Sequence, residues 1–174
     1  PVTKTYPTLG EAMYRAKTAV GSNWYAYAHV HLLGDPALTL AYPNYSVHTT
    51  SINHQPVDTS RTDTLKALQR VTVTGIITDL DGKKLDFNGV VWPTVFDKEQ
   101  QVQGLLNDIS SPTSSTDPVP FVFHTQKNIL YRGKTVASHG NFSFTFLVPK
   151  DISFAPGRGK ISYYATTGLD DAAG

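Results

Sequence analysis

The chain has no cysteine among its 174 residues. Thiol nucleophiles, disulfides and cysteine-held zinc or iron–sulfur centres are therefore excluded as chemistry of these residues. An excess of either charge is missing too: 15 Lys and Arg face 14 Asp and Glu, for a net charge of +1. The balance holds along the chain, with four basic and four acidic residues up to position 63 and eleven against ten beyond it. Neither part carries the electrostatic footprint of a nucleic-acid or anionic-lipid binder. No apolar run approaches the ~20 residues of a membrane helix, so neither a nucleic-acid partner nor a membrane span is expected. What is present, 40% hydrophobic and 11% aromatic residues, suffices for a packed core in one large domain or two small ones. Beginning at Pro1 and ending just past a strand-like stretch with Gly168-Leu169-Asp170-Asp171-Ala172-Ala173, the chain is expected to be a piece of a longer protein.

The first local signal is a helix start. In Pro7-Thr8-Leu9-Gly10-Glu11 the Thr8 hydroxyl can accept from the N–H three residues on while Glu11 reaches back, a capping box. Leu9, Met13, Ala16 and Val20 then share one face, with Gly21 as the stop. A helix of that length cannot bury its apolar stripe alone, so residues 1–42 need a partner surface. Residues 23–33 alternate (Trp24, Ala26, Ala28, Val30, Leu32) yet are Ala-rich; they are read as a second helix running into a short strand. Gly34-Asp35-Pro36 is a turn, and residues 37–42 a short extended segment.

Residues 44–64, rich in Asn, Ser, Thr, Asp and Pro, read as a connector that contains one strand at 45–52. From residue 65 the texture is β. Val71, Val73 and Ile77 make a β-branched run, Asp81-Gly82 a turn, and residues 90–96 a second run. Strands follow at 127–131, 135–137, 142–148 and 160–164. Phe142, Phe144 and Phe146 alternate with Ser143 and Thr145, giving one buried aromatic face and one polar face. Residues 107–118, dense in Ser, Thr and Pro, are expected to be an exposed loop. The fold class is mainly β: an antiparallel immunoglobulin-like sandwich over residues 65–174. Without a Cys-Trp-Cys spacing it is not an antibody-type domain.

Each candidate site has a competing structural reading. Ser138-His139-Gly140-Asn141 copies the His-Gly of caspase-like peptidases, but between two β runs it is a hairpin turn. His29 and His31 would share a strand face as two zinc ligands, with His48, His54 or Asp35 as the third; packed or hydrogen-bonded histidines are the better reading. Pro156-Gly157-Arg158-Gly159-Lys160 resembles a phosphate cradle, yet strand and not helix follows it. Asp79, Asp81 and Asp86 loosely resemble a calcium loop without its closing Glu and read as a solvated turn. Trp24, Tyr25, Tyr27, Trp92, Phe121, Phe123 and the Tyr163-Tyr164 pair could stack on carbohydrate. Of the wider aromatic set, core packing is the better reading for Phe142, Phe144 and Phe146, which leaves Trp92 and one of the two tyrosines as surface contacts. No catalytic, cofactor-binding or metal-ligating residue is assigned, and no cofactor is expected.

Function comes from a resemblance. Leu32-Leu33-Gly34-Asp35-Pro36-Ala37-Leu38 with Leu40-Ala41-Tyr42-Pro43, preceded by Leu9-Gly10-Glu11-Ala12 and Arg15-Ala16-Lys17, resembles the end of the peptidase domain in the gingipain-type (C25) cysteine peptidase family. Val71-Thr72-Val73-Thr74-Gly75, Phe87-Asn88-Gly89, Pro93-Thr94-Val95-Phe96-Asp97-Lys98, Gln126-Lys127-Asn128-Ile129-Leu130-Tyr131 and Val148-Pro149-Lys150-Asp151-Ile152-Ser153 with Gly159-Lys160-Ile161-Ser162-Tyr163-Tyr164 are similar to the type IX secretion sortase branch of that family. The resemblance implies that residues 1–43 are the C-terminal end of a caspase-like α/β peptidase domain and that an immunoglobulin-like module follows. It implies a hydrolase parent, exported to the surface or outer membrane of a Gram-negative bacterium, that removes C-terminal sorting domains from exported proteins. The implied partners are the rest of the peptidase domain, those exported proteins and other secretion-system components. The family's nucleophilic Cys and its His lie upstream of the matching region, so this segment is expected to be non-catalytic while its parent is an enzyme. The alternative reading is a surface adhesin or glycan-binding sandwich with no enzymatic parent.

Overall fold

The computed structural model describes residues 6–20, 29–57, 64–105, 120–152 and 156–174. The chain divides into two compact units, Pro1–Asn44 and Tyr45–Gly174.

In the first unit, α1 (Leu9–Ala19) begins where the capping signal places it. Thr8 Oγ1 accepts from the Glu11 N–H at 3.2 Å. The Glu11 carboxylate does not close the box, because it pairs with Arg15 one turn on. Two first-turn donors go to the Gly-Asp-Pro turn instead: the Leu9 N–H to the Leu38 carbonyl at 2.8 Å and the Gly10 N–H to the Pro36 carbonyl at 2.9 Å. Asp35 Oδ1 accepts from the Ala37 N–H at 2.8 Å and sets that turn. The two stretches that carry the peptidase-end resemblance are thus tied to each other through backbone groups that a helix N-terminus would otherwise leave unpaired. No residue of α1 is buried, and Ala16 and Val20 are exposed. The expected stop at Gly21 and most of the expected second helix lie outside the described residues. The short strand expected to end near Leu33 does not form, since residues 30–33 carry no regular structure.

The second unit holds the β-strands: β1 (Tyr45–Ile52), β2 (Gln55–Pro56), β3 (Arg70–Thr78), β4 (Gly89–Phe96), β5 (Gln100–Gln103), β6 (Val122–Thr125), β7 (Ile129–Arg132), β8 (Thr135–Ala137), β9 (Asn141–Leu147), β10 (Lys160–Thr166) and β11 (Asp171–Ala173). Nine form one sheet in the order β7-β4-β10-β11-β1-β3-β9, with β2 on β1 and β8 on β4, while β5 and β6 make a separate ribbon. Every pairing is antiparallel except β1 with β11. The sheet curls so that its ends face each other. The Tyr131 ring of β7 lies 5.5 Å from Phe144 and 5.0 Å from Phe146 of β9, and Phe142 meets Tyr163 edge-on at 5.3 Å. The result is a β-sandwich. Alternate residues Val71, Val73 and Ile77, Val91 and Val95, Phe142, Phe144 and Phe146, and Tyr163 and Ala165 fill its interior. Gly75 belongs to this packing, because a Cβ there would sit 2.2 Å from Phe142 Cζ and 2.6 Å from the His48 carbonyl.

Two boundaries differ from the sequence reading. Residues 45–52 are not part of a connector: β1 pairs with β3 along nearly its whole length and with β11 on its other side. The stretch 168–173 supplies β11, which pairs with β10 from Tyr164 to Thr166 and ends beside it with Tyr163 and Gly174 exchanging backbone bonds of 2.7 and 3.2 Å. The sandwich therefore starts near residue 45 rather than 65. The Ser/Thr/Pro-rich loop at 107–118 lies outside the described residues.

Candidate functional site

The β8–β9 connection is a two-residue turn. His139 (φ 47°) and Gly140 (φ 72°) both take left-handed backbone, and Ser138 and Asn141 exchange two 2.9 Å backbone bonds, as a type I′ hairpin requires. A Cβ on Gly140 would lie 2.1 Å from the Leu85 carbonyl, so glycine is set there by φ and by close approach. The His139 side chain faces the loop before β4: its Nδ1 is 2.8 Å from Asp86 Oδ1, and its backbone N–H donates to Asn88 Oδ1 at 2.9 Å. Asn88 Nδ2 donates to the same Asp86 oxygen at 3.0 Å. Hydrogen bonds from His139 and then Asn88 hold the Asp86 carboxyl below its ordinary value. Both members of the His139–Asp86 pair are largely exposed. A histidine held by a carboxylate has the form of a general base, but among the described residues no hydroxyl bonds its ring, and no thiol exists in the chain. What the contacts do is pin two loops together.

The other candidates separate in the same way. His29 and His31 are exposed and not on a strand. His48 sits on β1, His54 (φ 65°) in the β1–β2 turn, and Asp35 in its own turn. Among the described residues no three His, Asp or Glu side chains gather as metal ligands. Residues 156–159 run as irregular chain into β10, with Gln126 Nε2 donating to the Arg158 carbonyl at 3.3 Å, so no helix N-terminus faces them. Asp79 Oδ1 accepts from the N–H groups of Asp81 (3.0 Å) and Lys83 (2.8 Å), which makes it a turn-former. Tyr163 points inward and bonds Thr49 Oγ1 at 2.7 Å. Tyr164 points outward, stacks on Trp92 at 5.6 Å and donates to Asp171 Oδ1 at 2.9 Å. Lys134 Nζ stands 5.9 Å from the Trp92 ring centroid. Phe121 and Phe123 stack on the β5–β6 ribbon, not in the core. Trp24, Tyr25 and Tyr27 lie outside the described residues.

Sequence reasoning missed one feature with room for a ligand. A cavity of about 880 Å³ opens at the Ile52–Lys160 end of the sandwich. Ile52, Val73, Val95, Leu130, Phe146 and Ile161 form its apolar wall, and Lys66, Arg158 and Lys160 are exposed at its edge. Its residues come from segments up to 109 positions apart (Ile52 and Ile161), so only the sheet order assembles it.

No membrane-length apolar helix occurs among the described residues. No protein-family model matches the chain, and no curated protein does. Among solved structures it is similar to a crystal structure of dimeric latent PorU from Porphyromonas gingivalis, at 29% identity with a TM-score of 0.64, over 97% of this chain and 16% of that one. The fold is PorU-related, and the similarity runs through both units while spanning a small share of the PorU chain.

Proposed function

We propose that this chain is a non-catalytic C-terminal segment of a PorU-like cell-surface cysteine peptidase: the end of a gingipain-type peptidase domain followed by the module that buttresses it. The observation that carries the reading is the 29% identity to PorU across 97% of the chain. The absence of cysteine fits a parent whose chemistry resides upstream. The mutual anchoring of the Leu9-Gly10 helix start and the Gly34-Asp35-Pro36 turn fits the close of a larger α/β domain, as do the exposed Ala16 and Val20 on the apolar stripe of α1. On this reading the parent acts at the outer surface of a Gram-negative bacterium. It removes C-terminal sorting domains from exported proteins, and the sandwich supports the peptidase body and meets cargo or other type IX secretion components. The Trp92–Tyr164 pair is the feature a glycan-binding module would use. Lys134 and Asp171 already engage it, and the alternative gains nothing further.

Deleting this segment from the parent should leave exported proteins carrying their sorting domains, as seen by mass spectrometry of surface proteins. The isolated 174-residue chain should leave a sorting-domain substrate intact. Specific cleavage by the isolated chain that His139→Ala abolishes would overturn the reading.

A further inference from the structure

We infer that the outer face of β7, β4 and β10 is a docking surface for an acidic amphipathic helix of a partner protein. Val91, Val95, Tyr163 and Ala165 are buried in the sandwich, so the residues that alternate with them on each strand turn outward. Pairing then assembles one patch. Thr94 of β4 stands between Ser162 of β10 and Arg132 of β7, Phe96 is opposite Lys160, and Trp92 is opposite Tyr164; such cross-strand partners share a face. Lys134 Nζ reaches the same patch, 5.9 Å from the Trp92 ring centroid. The chain as a whole is balanced in charge, but this face is not. β4, β7, β8 and β10 contain no Asp or Glu. Asp171 of β11 lies opposite Thr166, where its carboxylate accepts from the Tyr164 hydroxyl. Among the described residues no carboxylate pairs with Arg132, Lys134 or Lys160, and all three side chains are exposed.

Spacing and surface chemistry select the occupant. Strands ~4.8 Å apart, with alternate residues ~6.7 Å apart along each, place Arg132 and Lys160 about 12 Å from one another at Cα. Carboxylates two turns apart on a helix span about 11 Å and match that interval. A sheet face offers no free backbone donors or acceptors, so a segment laid across it has to satisfy its own, as a helix does. Its apolar stripe would rest on Trp92, Phe96 and Tyr164 between the cations, the aromatic and Arg make-up that protein interfaces favour. Trp92 and Phe96 are half-buried, too flush with the sheet to enter the acyl region of a bilayer. The Trp92 ring is already engaged by Tyr164 and Lys134, which leaves little of it for a sugar to stack on. This inference stands apart from the proposed function, since it rests on this face alone.

The probe is the acetylated, amidated peptide Ser-Glu-Leu-Ala-Glu-Leu-Leu-Glu-Ala-Leu-Glu-Glu-Leu-Ala-Glu, titrated into the 174-residue chain and followed by amide and indole NMR. Saturable binding is expected, with shifts centred on Trp92, Arg132, Lys160 and Tyr164. Replacing every Glu of the peptide by Gln keeps its apolar stripe, leaves the protein untouched and should weaken binding at least ~10-fold. Arg132→Glu and Lys160→Glu, both at exposed positions, should each weaken it about 10-fold while the spectrum of the free protein stays dispersed. Lys83→Glu in the β3–β4 turn makes the same change in net charge and should leave the affinity as it was. Absence of saturable binding, equal binding of the Gln peptide, an equal loss with Lys83→Glu, or binding to phosphatidylglycerol vesicles in place of the peptide would each overturn the inference.

Discussion

Replacing Tyr163 by Phe should make the sandwich less stable at neutral pH and more stable than the parent chain in strong alkali. Burial is the larger influence on the Tyr163 phenol and raises it from 10.0 to about 12, against the opposing pull of the Thr49 bond. In the unfolded chain the same phenol ionises near 10. Below that value both states hold the proton and the stabilising contribution is complete. Between 10 and 12 only the unfolded state loses it, so native stability falls as pH rises. At 1.36 kcal/mol per unit, the loss at pH 12 comes to about 2 kcal/mol. The substitution deletes the 2.7 Å bond to Thr49, at a cost of about 1 kcal/mol, but it also deletes the ionisation. The two effects cross at about pH 11. Urea unfolding of both proteins from pH 8 to 12, followed by far-UV circular dichroism, measures the difference directly. Ionisation of the other tyrosines and the lysines is common to both chains and cancels. A stability difference that keeps one sign and size across the range would refute the reasoning.

Gly75→Ala should destabilise the unit by about 1–3 kcal/mol, read as a lower urea midpoint with unchanged slope, because the added methyl meets both Phe142 and the His48 carbonyl. The Asp86 carboxyl should titrate below 3.8 by carbon-detected NMR, and His139→Ala should move it up toward that value, since the His139 hydrogen bond is the largest influence holding it down. The pair's support is present above the ordinary carboxylate range and disappears as pH falls through the Asp86 midpoint.

The parts of the fold legible from sequence were those in which local pattern and burial agree. Phe142, Phe144 and Phe146 alternate and are all buried, and the Gly140-Asn141 step announced the hairpin that His139 and Gly140 form. The Thr8 cap was equally plain. β1 was harder to place: its strand character showed in Tyr45, Val47 and Ile52, but its position between β3 and β11 is a non-local matter that a polar segment does not advertise. β11 is Asp-Ala-Ala, poor in β-propensity, and is held in place by the strands on either side. β5, Gln-Gln-Val-Gln, has little to bury and forms only against β6. At the candidate sites, chemistry-bearing residues could be named but not their neighbours. Asp86 and His139 are 53 positions apart, Trp92 meets Tyr164 only through the β4–β10 register, and the cavity exists only once the sheet has curled.

The parallel pairing of β1 with β11 joins Tyr45 to Ala172, a loop of 127 residues by the difference of their numbers. Closing so long a loop carries an entropic cost that no local contact offsets, and ladders of this separation belong to slowly folding topologies. A ribosome or a secretion pore releasing the chain from its N-terminus would deliver β1, β3 and β9 well before the segment that joins β1 to the β10 side of the sheet. Until residues 171–173 emerge, one edge of β1 stays open to any other extended chain. The interval between those two events is when this protein is most exposed to mispairing, and it is when a chaperone that shields strand edges would matter most to it.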